Sequence, residues 1–311
     1  MRVATSTMTQ LATSSMGKSY ETYADIINKI TSNRNFSTVS ENVYDATRVL
    51  KLKDQLAKLD EYQSNINAAL NEMDYTYDTL GAITDEINAI NSLVVEASNA
   101  TTTREAAKAI GIEIEQRINT IADKMNAKYL DNYIFSGTFT NNQTYIDDGN
   151  GNIKYNGSSQ KAGDRNLTIS EGSTISYNIT AEEIFGKEDA KDADGNLTNF
   201  FAQMKELSEA LMDDNETVDY DKIRGKLTVL QDTATNITQA QGKLAAKSTK
   251  LDTTKSINES TIADLTEEKV GLEEVDITKA ATDLANAQTA LQASYLIGTN
   301  VLSSVSLLDY L

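Results

Sequence analysis

Apolar side chains return every seven residues along two long stretches of the chain. The first row is Leu52, Leu59, Ile66, Met73, Leu80, Ile87 and Val94; the second is Ile223, Leu230, Ile237, Leu244 and Leu251, then Asn258, then Leu265 and Leu272. A seven-residue repeat places one side chain every two helical turns on a single stripe, which is hidden only against another helix. At about 1.5 Å per residue the first row would run roughly 65 Å as one helix. The rows lie in opposite halves and each needs an apolar partner. The sequence therefore predicts a chain that folds back on itself as an elongated antiparallel coiled-coil or helical-bundle rod. Asn258 interrupts the second row, where it either fixes register or marks an exposed crossing.

Shorter patterns flank the rows. Met16, Tyr20, Tyr23, Ile27 and Ile30 make one amphipathic stripe near the start. Near the end, Ile277, Leu284, Leu291, Gly298 and Val305 form one row, and Ala280, Ala287, Ser294, Val301 and Leu308 a second, mostly small one that permits close helix approach. Two thin helices bury little by themselves, so these stripes are expected to order fully only on assembly. The expected assembly interface is Met16, Tyr20, Tyr23, Ile27, Ile30, Ile277, Leu284, Leu291, Val301 and Leu308, covered by neighbouring copies.

Between these segments the punctuation is legible. Residues 31–42 are turn and cap material. The first long helix should stop near Ser98-Asn99, and Thr102 with Glu105 has capping-box spacing for a helix burying Ala107, Ile110, Ile114, Ile118, Ile121 and Met125. Eight of the fifteen glycines then fall in residues 137–195, where Asp-Gly and Asn-Gly steps separate short alternating runs such as 152–155 and 174–179, which are hairpin signals. Helix returns from Phe200 with Phe201, Met204, Leu207 and Leu211. The expected fold is mainly α with a small β-rich insertion at the tip. The expected domains are 1–46 with 273–311 as a terminal coiled-coil assembly domain, 47–136 with 197–272 as a helical rod domain, and 137–196 as the β insertion.

Composition removes whole classes of chemistry. The 311 residues contain no Cys, His, Pro or Trp. There is thus no thiolate nucleophile, no imidazole base and no zinc-type ligand set, and no Pro to break a helix. A His-Glu-x-x-His metalloprotease insertion is ruled out on the same ground. A net charge of -18 repels nucleic acid and anionic lipid. No stretch approaches a membrane span, and the N-terminus lacks the pattern of a secretory signal. The acidic turns 147–152 and 192–196 resemble calcium loops. Yet aligning Gly195 with the loop glycine puts Ala190 first and Phe201 last, where carboxylates are required, so turn chemistry is the better reading and no cofactor is expected. Asn142-Gln143-Thr144 and similar triplets are expected by composition alone in so Asn- and Thr-rich a chain. A carboxylate-based glycosidase in the insertion is the remaining enzymatic alternative, weakened by the near absence of aromatic platforms.

One set of motifs carries a resemblance. Residues 272–280 (Leu-Glu-Glu-Val-Asp-Ile-Thr-Lys-Ala), 288–294 (Gln-Thr-Ala-Leu-Gln-Ala-Ser) and the closing Ser306-Leu307-Leu308-Asp309-Tyr310-Leu311 resemble the family of flagellar hook-filament junction proteins, hook-associated protein 3, relatives of flagellin. Residues 133–138 (Tyr-Ile-Phe-Ser-Gly-Thr), Tyr155-Asn156-Gly157, Met1-Arg2-Val3 and 93–101 fit the same family. The resemblance implies a non-enzymatic structural role in the bacterial flagellum. It implies export through the flagellar apparatus to the extracellular flagellum, with the C-terminal helices held by an export chaperone beforehand. It further implies polymerisation between hook and filament, with copies of itself, a neighbouring junction protein and flagellin as partners. Flagellin itself is the alternative, disfavoured by the ending Leu308-Asp309-Tyr310-Leu311. The chain departs from the family where a Ser-Asp-Asp-Pro run usually precedes the long helix: it reads Ser40-Glu41-Asn42-Val43, leaving Glu41 as the expected acidic contact. Asn91 and Ser92 stand where flagellins read by innate immune receptors usually carry Arg, so receptor recognition is not implied.

Overall fold

The structure, a computed structural model, describes residues 2–99, 102–149, 152–156, 163–187, 190–191, 197–213 and 219–308, with side chains described from Ser6 to Val301 at the two ends. Seven helices are present among them: α1 (Arg2–Ser32), α2 (Val43–Ala97), α3 (Arg104–Met125), α4 (Ala181–Phe185), α5 (Phe200–Met212), α6 (Tyr220–Glu273) and α7 (Ile277–Leu308). Six short strands, β1 (Lys128–Tyr129), β2 (Asn132–Tyr133), β3 (Tyr145–Asp147), β4 (Ile153–Tyr155), β5 (Asn166–Ser170) and β6 (Ser173–Ser176), pair as three antiparallel hairpins. The fold is mainly α, as the heptad rows require. It divides into two compact units, residues 1–59 with 259–311 and residues 60–258. The division falls inside α2 and α6, whereas the turns at 33–42 and 274–276 lie within the first unit.

In the unit 60–258 the rows are the core. Ile66, Met73, Leu80, Ile87 and Val94 of α2 and Ile223, Leu230, Ile237, Leu244 and Leu251 of α6 are all buried. The two helices run antiparallel here: Gln241 Nε2 donates to the Tyr77 carbonyl at 3.4 Å and the Arg224 guanidinium to the Ser98 carbonyl at 3.3 Å. α3 buries its isoleucine face, and Gly111 lets it approach α5 so closely that an added Cβ would stand 3.0 Å from Leu211 Cβ and 3.1 Å from the Ser208 carbonyl. The N-cap of α3 is Thr103, whose hydroxyl accepts from the Ala106 amide at 3.2 Å. It is not Thr102, whose hydroxyl donates to the Glu96 carbonyl at 2.9 Å and so finishes α2 instead.

The hairpins dock on this core. β3 and β4 turn through Gly149, with φ 83°, and Asp148 is held by Lys154 at 2.9 Å and by Asn152 Nδ2 at 2.8 Å. No group of three or more potential metal ligands occurs among the described residues, and 192–196 lie outside them. The β1–β2 hairpin precedes the expected insertion and escapes a glycine-based reading because Leu130 takes the left-handed position of its turn, φ 53°. The β5–β6 hairpin is fixed by side-chain amides: Asn65 Nδ2 donates to the Thr168 carbonyl at 3.3 Å and Asn258 Nδ2 to the Ile169 carbonyl at 3.4 Å. Asn258 is 5% exposed, so the break in the second row is buried under a hairpin rather than being an exposed crossing. Arg165 reinforces the docking by pairing with Glu72 and lying over the Tyr177 ring at 4.9 Å. Beside β3 and β4, Tyr145, Phe185, Phe200 and Phe201 form an aromatic cluster, and the Asn126 side chain bonds both the amide and the carbonyl of Tyr145 at 2.9 Å.

Candidate assembly surface

In the other unit, α1 lies against α7. Spacing alone explains which sides meet. Along α1 the half-buried positions include Ala12, Met16, Ser19, Tyr23, Ile26 and Ile30, a four-three repeat. Along α7 the small row is the buried one: Ala280 is 6% exposed, and Ala287 and Ser294 are 8% exposed. Gly298, from the neighbouring row, is buried next to Ser294, and a Cβ there would overlap the Met16 sulfur. Small residues permit close approach, so the small row serves the pairing of α7 with α1 within one chain.

The expected interface residues thus fall in three places. Met16, Tyr23, Ile30, Leu284, Leu291 and Val301 are half-buried. Tyr20, Ile27 and Ile277 are exposed, at 60%, 37% and 54%. The Leu308 side chain lies outside those described. Ser19 and Ile26 take the inward places that periodicity assigns to Tyr20 and Ile27. Further apolar side chains point outward: Met8 and Leu11 on α1, and Tyr295, Leu296 and Ile297 on α7, with Leu296 67% exposed. Sequence periodicity does not single these out, although three consecutive apolar residues on a helix span most of its circumference and cannot all face one neighbour.

The connections into these helices are capped in detail. Asn42 Oδ1 accepts from the Asp45 amide at 3.2 Å at the start of α2. Asp276 Oδ1 accepts from the Thr278 and Lys279 amides at 2.9 and 3.1 Å at the start of α7. Glu41 accepts from the Ser37 amide and the Thr38 hydroxyl, both at 2.9 Å. These bonds, the Ser37 amide foremost, hold its carboxyl below the usual carboxylate range. Arg48 pairs with Glu268 at 2.7 Å, and Lys53 with Glu273 at 2.8 Å. Helix pairing and outward apolar side chains are interaction chemistry; the arrangement assembles no nucleophile, base or metal-ligand cluster among the described residues.

Residues 3–140 match the family model of the bacterial flagellin N-terminal helical region. A protein of Vibrio parahaemolyticus described as a flagellar hook-associated protein superposes with a TM-score of 0.65 at 18% identity, over 75% of this chain and 99% of that one. Flagellar hook-associated protein-3 of Legionella pneumophila gives 0.61 at 14% identity, over 71% and 97%. A flagellar junction protein of the same species gives 0.57 at 13%, over 73% and 99%. The fold is that of the flagellar hook-associated proteins. No curated protein sequence matches the chain. In sequence, then, the likeness is carried by the flagellin region, which spans α1, α2, α3 and the first hairpin, and in fold by most of the chain.

Proposed function

We propose that this chain is a structural subunit of the bacterial flagellum, an adaptor that polymerises between hook and filament. The observation that carries the reading is the shared fold: almost the full length of each hook-associated structure is covered, while the flagellin region supplies the N-terminal helices. The partners on this reading are copies of itself, a neighbouring junction protein and flagellin. Its route is the flagellar export apparatus, with a chaperone holding the C-terminal helices, and its place is the extracellular flagellum. The outward apolar residues of α1 and α7, together with Tyr20, Ile27 and Ile277, are the surface that neighbouring copies cover, and the role is not enzymatic. The glycosidase alternative finds no support among the described residues: Asp148 is engaged by Lys154 and Asn152 in the β3–β4 turn, and helix amides bond the β5–β6 backbone.

Electron microscopy of a strain lacking the gene tests this. Hooks without filaments, flagellin shed into the medium and rescue by the intact gene are the expected result. Normal filaments would overturn the proposal, and absence of filaments together with absence of shed flagellin would point to the filament subunit itself. A Leu296→Asp substitution in the full chain is expected to leave the circular dichroism spectrum unchanged and to abolish rescue.

A further inference from the structure

The two connections that lead into the terminal helices touch at one residue. α6 ends at Glu273 with no glycine after it, so its last carbonyls lack the left-handed turn that commonly satisfies them. Asn35, between α1 and α2, supplies the donors. Its backbone amide donates to the Glu273 carbonyl at 2.9 Å. Its Nδ2 donates to the Glu274 carbonyl at 2.7 Å and to the Leu272 carbonyl at 3.4 Å. Asn33 makes this reach possible: at φ 52° it closes α1 in the left-handed region, with Arg34 N–H returning to the Lys29 carbonyl at 3.2 Å, and the reversed chain brings Asn35 to α6. Behind the contact the Glu273 carboxylate takes Lys53 at 2.8 Å and Arg34 at 3.8 Å. An open cleft adjoins it, lined by Lys29, Glu274, Asp276, Lys279 and Asp283 among others, so mostly polar side chains surround it.

We propose that Asn35, backed by the Glu273–Lys53 pair, is a latch on which the α1–α7 pair hinges. Closed, it fixes how α1 and α7 leave the ends of α2 and α6; open, segments 33–35 and 274–276 become the hinge. A latch differs from an ordinary helix cap in one respect. A cap stabilises only the end of α6, whereas a latch couples that end to the end of α1, since Asn35 sits in one connection and bonds the other.

Hydrogen exchange read by mass spectrometry on the full chain separates the two. Asn35→Asp keeps the size of the side chain and removes its Nδ2 donors. The expected result is that peptides covering 26–36 and 270–284 exchange together, roughly tenfold faster, as loss of one or two net hydrogen bonds gives, while peptides covering 66–94 are unchanged. Faster exchange confined to the last turn of α6 would overturn the latch and leave a cap, and unchanged exchange would overturn both. Should Asn35→Asp also loosen 66–94, Lys53→Met decides, because it leaves Asn35 in place. A smaller but still coupled acceleration at both segments is expected there, and none overturns the proposal.

Discussion

At single positions the close approach of α3 to α5 offers a clean measurement. Gly111→Ala gains about 1 kcal/mol in helix propensity, yet its new methyl meets Leu211 Cβ at 3.0 Å and a backbone carbonyl at 3.1 Å, neither of which can step aside. Overpacking of that kind costs about 1–3 kcal/mol, so the net expectation is a loss of about 1 kcal/mol. Gly225→Ala, in α6 with nothing within 4 Å, keeps the whole propensity gain. Denaturant melts of the two variants should therefore shift in opposite directions from wild type and differ by about 2 kcal/mol. Equal shifts would show that the α3–α5 contact is looser than its geometry. Such a site is invisible in sequence because a glycine in a helical pattern reads only as a weak position. The same applies to Asn35, whose partners are backbone carbonyls from the other end of the chain. Periodicity encodes side-chain faces; it carries no signal for bonds to distant backbone.

Among the elements, the long helices are legible in the sequence and the small β pieces only partly so. The row residues from Ile66 to Val94 on α2 and from Ile223 to Leu251 on α6 act through burial, which periodicity reports directly. Asn258 marks the limit of that signal. In the second row it reads as a defect, whereas in the fold its amide holds the β5–β6 hairpin through the Ile169 carbonyl. Asn258→Leu restores the row and removes the donor. The expected outcome is a global stability within about 1 kcal/mol of wild type, since gained burial offsets the lost bond. Amide exchange in 166–176 should nonetheless rise, because Asn65 and the Glu72–Arg165 pair are left to hold the hairpin. Unchanged exchange there, with stability raised by the full value of a buried leucine, would show that the amide contributes nothing to docking. The first hairpin is missed for a different reason: turn rules look for Gly or Asn at a left-handed position, and Leu130 occupies it.

For the whole molecule the charge distribution sets the response to pH. With no histidine, no side chain of ordinary pKa titrates between about pH 6 and 8, so thermal stability should be flat across that range. Below it two effects oppose each other. Asp60, Asp74, Asp78, Asp85 and Glu96 form an exposed acidic stripe on α2 without an ion pair among the described residues, and the chain carries a net charge of -18. As the net negative charge shrinks towards the sequence pI of about 4.4, self-repulsion is relieved and stability rises. Glu206 and Glu273 act in the other direction. Lys222 and then Lys226 hold the Glu206 carboxyl below its usual range, and Lys53 does the same for Glu273. A depressed folded value means that the stabilisation is present above the unfolded value, near 4.5, and is lost as pH falls through the folded one. Melting followed by circular dichroism at low salt should thus be flat from about pH 8 to 6, rise slightly towards about pH 4.5 and fall below it. In roughly 0.5 M salt the Debye length shrinks to about 4 Å, so the rise should vanish. The fall should persist, because its ion pairs are in direct contact at 2.6–2.8 Å. Glu206→Gln should make that fall shallower, and a fall that disappears with salt would instead assign it to the net positive charge gained in acid.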